Sequence, residues 1–493
     1  RARRGLRGRA TGGASEEQRH RLWGEAWYPL AFAEFTDRGA PQAVDLLGAA
    51  VVLWWDGQAG AWRCGLDRCP HRLARLSEGR VDSAGNLECP YHGWAFRGDG
   101  GCAAIPQLEQ GRAFDARRAE LLTLPTRERQ GLLWVWAAPL VGSSAAPDEA
   151  ALEALLVDQL DLPGVTVLDY SRDLPMDATV LCENVMDPSH LPFTHDGTIS
   201  RRGAAGPVPL RLRGPVEPAG FAAERDTDPP GHLEFRAPAC VVAETRRPGS
   251  FRDWNVVYAV PSSPGRARIL VRVAFEVGEM QGLQGLAFAA LFRLPAWLLH
   301  QNNHRILEDD NIFLHHQGLA LRALAAADAA EGAAAEGEPG PAPPGRVQPR
   351  DWQRQLYLAS SADAPVAAYR TWLERYTAGR GASCSLFAAP AAGAQTSQAF
   401  RPLRRRELLD RLASHTEHCS ACQGARRAAA QAAPWAEAAI FVGLALAAAG
   451  VGGAPGIGIA VAAAAFVARW ASLGILESTA GGSYPPPRNR ASA

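Results

Sequence analysis

The segment Cys69–Phe96, CPHRLARLSEGRVDSAGNLECPYHGWAF, contains two cysteine–histidine pairs on short stretches of chain. Cys69 is followed by Pro and then His71, and Cys89 is followed by Pro, Tyr and then His92. Each pair places a thiolate and an imidazole, both good metal ligands, on a tight loop. Two such loops can clamp a small metal centre from opposite sides, so the segment predicts a metal-binding fold for the N-terminal part of the chain.

The four residues Cys69, His71, Cys89 and His92 fit two kinds of centre. A Rieske [2Fe–2S] cluster takes two cysteines on one iron and two histidines on the other, and a Cys2His2 zinc site uses the same residue types. Zinc fingers separate their histidines by about three to five residues, a spacing that is absent here. The proline after each cysteine and the His-Gly-Trp ending favour the [2Fe–2S] cluster, which would act as an electron relay.

A second group of polar residues lies in Leu181–His195, LCENVMDPSHLPFTH. His190 and His195, joined by one carboxylate from elsewhere, would form the facial triad of a mononuclear non-haem iron site with open positions for O2 and substrate. Asp187 and Asn184 lie nearby as groups that can orient a histidine ring. Taken alone, the stretch fits a polar turn equally well. Because a Rieske cluster only moves electrons, its presence in the same chain favours an iron centre here.

Composition limits the class of protein. At 493 residues the chain is too long for one core, so two or three folded units are expected. Lys+Arg and Asp+Glu balance at 51 each, so no net charge would attract nucleic acid. The 9 cysteines are odd in number and scattered, which indicates a reducing compartment rather than a disulfide framework.

The two ends of the chain have unusual compositions. Residues 1–20 begin with an Arg-rich, acid-free run that is typical of organelle transit peptides, with a solvated disordered tail as the alternative. Residues 438–468 contain no charged residue and exceed the ~20 apolar residues of one membrane span. A Gly/Pro break around Pro455 suits a hairpin. We therefore predict a transmembrane hairpin over 436–476, the alternative being a buried Ala-rich helix pair.

Hydrophobic patterns divide the remaining chain. Residues 21–145 contain strand patterns such as AVVLWWDGQAGAWRC and GLLWVWAAP, which predict an all-β unit. Residues 150–378 mix strands such as WNVVYAV and ARILVRVAFEV with helical spacing, which predicts an α+β unit. Within that unit, residues 323–349 are rich in Ala, Gly, Pro and Glu and predict a flexible insertion.

A basic segment precedes the apolar end. Residues 400–425 predict an amphipathic helix that leads to a Cys-x2-Cys pair, Cys419 and Cys422. Such a pair can lower the pKa of one thiol and close a small disulfide, so we predict a redox role. Two unremarkable thiols are the alternative.

These motifs resemble the Rieske-type non-haem iron oxygenases, and within them the plant and algal branch of pheophorbide a oxygenase. LWGEAWYPL, ENVMDPSHLPFTH, ADAPVAAYRTWLERY and HCSAC carry the resemblance together with Cys69–Phe96, over most of residues 20–475. The resemblance implies an α+β fold: an N-terminal all-β Rieske domain, a helix-grip (START-like) domain with mononuclear Fe(II), and C-terminal membrane helices. Arg75, where the branch usually has Pro, and the insertion at 323–349 depart from the pattern.

The resemblance also selects the third iron ligand. In monooxygenases of the family the ligand aspartate follows an acidic residue and precedes a glutamine by seven positions. That pattern points to Asp310, which lies between Asp309 and Gln317. The adjacent His315 and His316 are less favoured, since neighbouring histidines at a helix end are more often solvated. The implied ligand set is therefore His190, His195 and Asp310.

The activity that the resemblance implies is the O2-dependent opening of pheophorbide a, a hydrophobic tetrapyrrole, with electrons from ferredoxin. It also implies a homotrimer in which His92 of one subunit meets Asp187 of the next. The catalytic part would face the stroma from a chloroplast membrane, either thylakoid or inner envelope, with Cys419 and Cys422 as a thioredoxin-type target. The chain has no nucleotide or flavin fingerprint, which fits a separate reductant protein.

Three other functions stay open. The first is hydroxylation of another chlorophyll derivative, such as protochlorophyllide or a phyllobilin. The second is redox sensing within a plastid protein-import complex, where a complete iron triad would be unnecessary. The third is a soluble aromatic hydroxylase, against which the apolar tail argues.

Overall fold

The computed structural model describes residues 22–225, 229–247, 251–276, 290–335, 352–377, 401–449 and 455–482. The predicted leader at 1–20 lies outside these residues. In the N-terminal part the strands are β1 (Trp27–Phe32), β2 (Gln42–Leu46), β3 (Ala49–Asp56), β4 (Ala61–Leu66), β5 (Arg80–Val81), β6 (Leu87–Glu88), β7 (Ala95–Phe96), β8 (Cys102–Ala104), β9 (Thr123–Leu124), β10 (Thr126–Arg129) and β11 (Leu132–Trp136).

These strands form three small sheets, ordered β1-β11-β10, β2-β3-β4-β9 and β5-β6-β7-β8. The expected hairpin is present, with β3 and β4 paired on either side of the turn that begins after Asp56. Apolar side chains fill the interior, and Trp54 and Trp134 are fully buried. The N-terminal all-β fold is thus confirmed.

A larger sheet of seven strands follows, ordered β12-β18-β17-β16-β15-β14-β13. Its strands are β12 (Val165–Leu174), β13 (Arg211–Leu212), β14 (Gly220–Arg225), β15 (Gly231–Arg236), β16 (Cys240–Arg246), β17 (Arg252–Ser263) and β18 (Arg266–Glu276). The long hairpin of β17 and β18 follows from β-branched and aromatic residues in alternation. β12 ends the sheet on one side, so its outer edge is open to other parts of the chain.

The helices are α1 (Glu149–Leu155), α2 (Ala178–Met186), α3 (Leu191–Thr194), α4 (Ala296–Ala335), α5 (Trp352–Gln355), α6 (Ala364–Tyr376), α7 (Arg405–Leu408), α8 (Ser420–Ala449) and α9 (Pro455–Ser478). Helix α2 ends at Met186 because Pro188 disfavours a helical backbone at Asp187, which is extended (φ −104°, ψ 94°). The chain then turns back toward the sheet. Sheet and helices together confirm the expected α+β fold.

Two of the N-terminal sheets, β1-β11-β10 and β2-β3-β4-β9, share one continuous apolar core with the seven-stranded sheet, and β5-β6-β7-β8 packs on a second, smaller apolar cluster. Trp134 of β11 contacts Tyr258 of β17 edge-on, with ring centroids 5.3 Å apart. Arg268 of β18 donates a hydrogen bond to the carbonyl of Leu30 in β1 (3.1 Å) and pairs with Asp173 of β12 (2.7 Å). The two parts are therefore packed against each other as one body.

Two sequence predictions differ from the structure. Residues 323–335, expected to be part of a flexible insertion, are helical, because α4 continues through them to Ala335; their high alanine content favours helix. Residues 336–351 lie outside the described part of the chain. The continuous helix expected over 400–425 is also wrong, since only the short helix α7 and a 3₁₀ turn at Thr416–His418 precede α8. Arg411 and His415 in this segment turn inward and are buried, whereas Arg401 and Arg404–Arg406 stay exposed.

Helices α8 and α9 form an antiparallel pair. A Cβ atom on Gly443 would lie 2.7 Å from the backbone nitrogen of Ala462, and one on Gly458 would lie 2.5 Å from that of Ala447. Small residues thus let the two helices approach closely. By length and composition both helices are long and apolar enough to cross a membrane, with mean hydropathies of 1.6 and 1.9. The first helix begins at Ser420, earlier than the predicted hairpin.

A buried ion network ties the segment before α8 to the sheet and to α4. Glu308 of α4 accepts hydrogen bonds from Arg172 of β12 (3.1 Å) and from two nitrogens of Arg411 (2.6 Å each). All three side chains are almost fully buried. Removing one partner of such a network leaves charges uncompensated in a medium of low polarity.

We expect Glu308→Ala to destabilise the protein by about 3–5 kcal/mol, because it leaves Arg172 and Arg411 buried without their carboxylate. The measurement is the midpoint of thermal unfolding of the purified protein. Glu153→Ala is the matched control, since its ion pair with Arg129 is exposed and should contribute less than about 1 kcal/mol. Equal midpoints for the two variants would contradict a structural role of the network.

Candidate metal centres and substrate cavity

The two cysteine loops of the N-terminal part have the same backbone geometry. The amide of Cys69 donates to the carbonyl of Ala74 (2.9 Å), and the amide of Leu73 donates back to Cys69 (2.9 Å). In the second loop the amide of Cys89 donates to Trp94 (2.8 Å), and the amide of Gly93 donates back to Cys89 (3.0 Å).

A left-handed residue closes each of these turns. Leu73 has φ 63° and Gly93 has φ 72°. The glycine adopts this conformation without cost, whereas the leucine is strained there. Two matching loops therefore present two thiols and two imidazoles toward one another.

The four side chains fit a [2Fe–2S] cluster. Cys69 and Cys89 are buried, and burial raises the pKa of Cys69 to about 11, so a cation is needed to stabilise the thiolate. The rings of His71 and His92 lie 4.8 Å apart, centroid to centroid. The Nδ1 atom of His92 is buried and has no hydrogen-bond partner among the described residues. An orphaned polar atom of this kind is costly unless it binds a metal.

The second group of predicted ligands also comes together. His190 ends the turn after α2, His195 follows α3, and Asp310 lies on α4. Their ligand atoms all lie within 4.8 Å of one another, and His195 Nε2 is 3.4 Å from Asp310 Oδ2. Burial lowers the pKa of His190, which favours the neutral imidazole that binds metals. Two histidines and one carboxylate on one wall fit a mononuclear iron.

Neighbouring groups hold the two histidines in place. Asp309 Oδ2 is 3.3 Å from His195 Nδ1 and accepts a hydrogen bond from Thr198 (2.8 Å). The sequence analysis gave Asp309 no role beyond preceding a ligand. On a helix, successive side chains point about 100° apart, so only the structure shows that Asp309 faces His195 while Asp310 faces both histidines.

Asp187 and Asn184 are the other two residues predicted to orient a histidine, and that role stays a prediction. His190 Nδ1 contacts the backbone carbonyl of Asp187, whose carboxylate accepts hydrogen bonds from Ser189. The side-chain amide of Asn184 lies 3.5 Å from the carboxylate of Asp310.

His315 lies apart from the iron triad. Its Nδ1 contacts the carbonyl of Pro175 (2.7 Å), and its Nε2 accepts from the amide of Leu403 (3.0 Å). Both ring nitrogens therefore serve backbone groups, and His316 is exposed. The preference for Asp310 over this histidine pair is consistent with these contacts.

A cavity of about 830 Å³ opens beside the iron triad. One face of the seven-stranded sheet and helix α4 supply apolar side chains to its wall, and His190, His195 and Asp310 lie on the same wall. Arg225, Arg247, Glu244 and Asp253 also line the cavity, and Arg247 forms an ion pair with Asp253. Cavities of about 300–1,000 Å³ are typical of small-molecule sites, so the cavity suits a mainly apolar ligand that reaches the triad.

The C-terminal cysteine pair lies outside the cluster loops and does not line the cavity. Cys419 and Cys422 are buried beside His300 and His415. Neither histidine was predicted as a partner of the cysteines: His300 lies more than a hundred positions away along the chain, and His415, four positions before Cys419, was the one local signal. The redox role predicted for the two thiols stays a prediction.

Comparison with known proteins agrees with this architecture. Residues 26–125 match the model of the Rieske [2Fe-2S] domain, and residues 235–326 match that of pheophorbide a oxygenase. Pheophorbide a oxygenase of Arabidopsis thaliana is 31% identical over 434 residues, covering 84% of this chain and 74% of the relative. Protein TIC 55 of Pisum sativum is 28% identical, covering 82% and 71%.

A solved structure shows the same fold. Dicamba monooxygenase bound to dicamba superposes with a TM-score of 0.51 at 18% identity, covering 72% of this chain and 97% of the other. Fold and metal centres together define a Rieske-type non-haem iron oxygenase, with a [2Fe–2S] cluster and a mononuclear iron as its cofactors. The chain belongs to the pheophorbide a oxygenase family.

We expect Asp309→Ala to weaken iron binding about 10–100-fold, because His195 loses the carboxylate that fixes its ring. The measurement is iron retained after dialysis against a graded chelator series, with the EPR signal of the cluster as the internal reference. Asp196→Ala removes a neighbouring but exposed carboxylate and should change neither value. Unaltered iron retention in Asp309→Ala would rule out its positioning role.

Proposed function

We propose that this oxygenase acts on a chlorophyll-derived tetrapyrrole and that its reaction is the O2-dependent opening of pheophorbide a. The observation that carries the proposal is the apolar cavity with the triad of His190, His195 and Asp310 on its wall. The relatives that are named pheophorbide a oxygenase align with most of this chain. Electrons would come from ferredoxin.

The cavity suits a large ring that carries one carboxylate. Its walls include Leu233, Val257 and Ile269 from the sheet. Arg225 lines the cavity and donates a hydrogen bond to the carbonyl of Pro229 (2.9 Å). Among the residues that the structure describes, no carboxylate lies within ion-pair distance of Arg225, and burial lowers its pKa. A substrate carboxylate would compensate this charge and orient the ring against the triad.

The residues at the two metal centres would have separate roles in the reaction. The cluster, held by Cys69, His71, Cys89 and His92, would supply single electrons, and the iron would activate O2. His190, His195 and Asp310 would hold the iron on one side and leave the cavity side open. Asp309 would keep His195 in the orientation that binds metal, and the apolar wall would exclude water from the reacting ring.

We also propose that the chain forms a homotrimer in which His92 of one subunit meets Asp187 of the next. Tyr91 and Leu73, large apolar side chains beside the cluster loops, are exposed, as an uncovered subunit interface would be. Both hydrogen bonds of the Asp187 carboxylate within the chain use Oδ1. In the described part of the chain this leaves Oδ2 available to the neighbour's histidine.

Helices α8 and α9 would anchor the protein in a chloroplast membrane with the iron centres on the stromal side. Aromatic and aliphatic side chains point outward from both helices, among them Trp435, Phe441, Phe466 and Trp470. A tetrapyrrole that partitions into lipid would then reach the enzyme at the membrane surface. Chloroplast names among the relatives support this compartment.

The decisive experiment incubates purified full-length protein with reduced ferredoxin, O2 and a panel of chlorins, with products identified by mass spectrometry. Ring-opened product from pheophorbide a is the expected result, with a higher KM for its methyl ester because Arg225 loses its partner. Hydroxylation without opening would assign another chlorophyll derivative. No product from any chlorin, with both metal centres loaded, would contradict the enzyme and support the redox sensor.

A second experiment tests the route of the electron. Asp187→Asn should keep both metal centres and slow turnover by at least about tenfold, because an amide is a weaker acceptor than a carboxylate for the hydrogen bond from the neighbouring subunit's cluster histidine. Stopped-flow reoxidation of the reduced cluster measures the step. Ser189→Ala, which removes only a hydroxyl partner of the same carboxylate, is the control. Full turnover in Asp187→Asn would exclude the bridge.

A further inference from the structure

A second set of possible metal ligands shares no residue with the proposed iron triad. His300 is on α4, His415 is in the turn before the 3₁₀ segment, and Cys419 and Cys422 lie at the start of α8. One ligand atom from each falls within 4.8 Å of the other three. All four side chains are at least 98% buried, with exposed fractions of 1%, 2%, 2% and 0%. This tetrad belongs neither to the cluster nor to the cavity.

Backbone carbonyls fix the proton on each histidine of the tetrad. His300 Nε2 lies 3.2 Å from the carbonyl of Asp169, and His415 Nδ1 contacts the carbonyl of Ser171. A carbonyl can only accept, so each of these ring nitrogens carries the hydrogen. In a neutral imidazole the other nitrogen then holds a lone pair. Those two nitrogens, His300 Nδ1 and His415 Nε2, are the ones that face the cysteines.

The free edge of β12 supplies both carbonyls. Asp169 and Ser171 alternate along this edge strand, so their carbonyls leave the sheet in the same direction. Histidines that bind a metal almost always donate their second ring nitrogen to a carbonyl or a carboxylate in this way. The ring of Tyr170 stacks on His415 (4.9 Å), and Phe35 contacts His300 edge-on (5.0 Å). Both imidazole rings are therefore held in fixed positions.

The spacing of the ligand atoms matches a tetrahedral ion. His415 Nε2 is 3.2 Å from Cys422 Sγ. His300 Nδ1 is 3.6 Å from Cys419 Sγ and 3.4 Å from Cys422 Sγ. Bonds of ~2.3 Å to sulfur and ~2.0–2.1 Å to nitrogen at tetrahedral angles separate these atoms by roughly 3.5 Å.

We propose that His300, His415, Cys419 and Cys422 form a structural zinc site. Two sulfurs and two nitrogens in tetrahedral array are a typical zinc ligand set. The site is closed, because all four ligands come from buried side chains and no position faces the cavity. A disulfide between the cysteines would instead leave His300 Nδ1 and His415 Nε2 as buried acceptors without a donor.

The zinc would fasten the C-terminal helices to the catalytic unit. Its ligands join α4 and the first turn of α8, and both histidines are braced by β12. Ser414, next to His415, also pairs with β12, since it accepts the amide of Asp173 (2.8 Å). The ion would thereby fix the start of the apolar hairpin against the helix that carries Asp310. This role is independent of the substrate proposed above.

Metal analysis of the full-length protein tests the site. We expect one zinc per chain beside the iron, and we expect Cys422→Ser to lose the zinc while the EPR signal of the cluster stays. Cys102 is a half-buried cysteine that belongs to neither the cluster nor the tetrad, so Cys102→Ser should keep the zinc. His190→Ala should also keep it, which separates this site from zinc that has entered the iron triad.

X-ray absorption at the zinc edge of the wild-type protein provides a measurement that does not depend on a variant folding. We expect two sulfurs at ~2.3 Å and two nitrogens at ~2.0–2.1 Å. Zinc-free protein, or zinc that disappears in His190→Ala but persists in Cys422→Ser, would overturn the proposal. A Cys419–Cys422 disulfide found by mass spectrometry of unreduced protein would also overturn it and support the redox pair.

Discussion

The structure depends on the burial of three consecutive acidic residues on α4. Glu308, Asp309 and Asp310 are at most 7% exposed, and a buried carboxylate is tolerated only when cations or hydrogen-bond donors surround it. The helical twist directs the three side chains to different sides of α4. Glu308 meets two arginines, Asp309 meets His195, and Asp310 meets both candidate iron-binding histidines. One short run of sequence therefore connects the stability of the fold to the geometry of the iron site.

The same helix joins parts of the chain that are distant in sequence. Through Glu308 it holds Arg172 of β12 and Arg411 of the segment before α8. Through His300 it reaches Cys419 and Cys422. Helix α4 is thus the common support of the cavity wall, the iron triad and the tetrad.

The N-terminal part is organised by a different constraint. Its cluster loops are built from the same turn used twice, each closed by a residue in the left-handed region. Leu73 accepts strain in the first loop, whereas Gly93 has none in the second. A small apolar group that includes Trp54, Leu76 and Phe96 packs beneath the loops, so the thiols are buried while the His71 edge stays at the surface.

The sequence by itself determined the parts of the sites that are local. Each cysteine–histidine pair of the cluster loops, and the pair His190 and His195, lies within a stretch so short that spacing alone brings its two ligand atoms near each other. The hairpin of β3 and β4 and the long strands β17 and β18 followed from alternation of apolar residues. Asp310 needed the family pattern, because it lies far along the chain from the histidines.

Only the tertiary structure decided which distant groups meet. Asp309 contacts His195 across 114 positions, and Cys422 contacts His300 across 122. No periodicity encodes such pairs, since the folding of the intervening chain sets them. For the same reason the helix predicted over residues 400–425 is wrong. Their basic residues predict a solvated helix face, but Arg411 and His415 are buried because their partners lie on α4 and β12. Local spacing fixes a loop, whereas long-range packing fixes the partner of each buried charge.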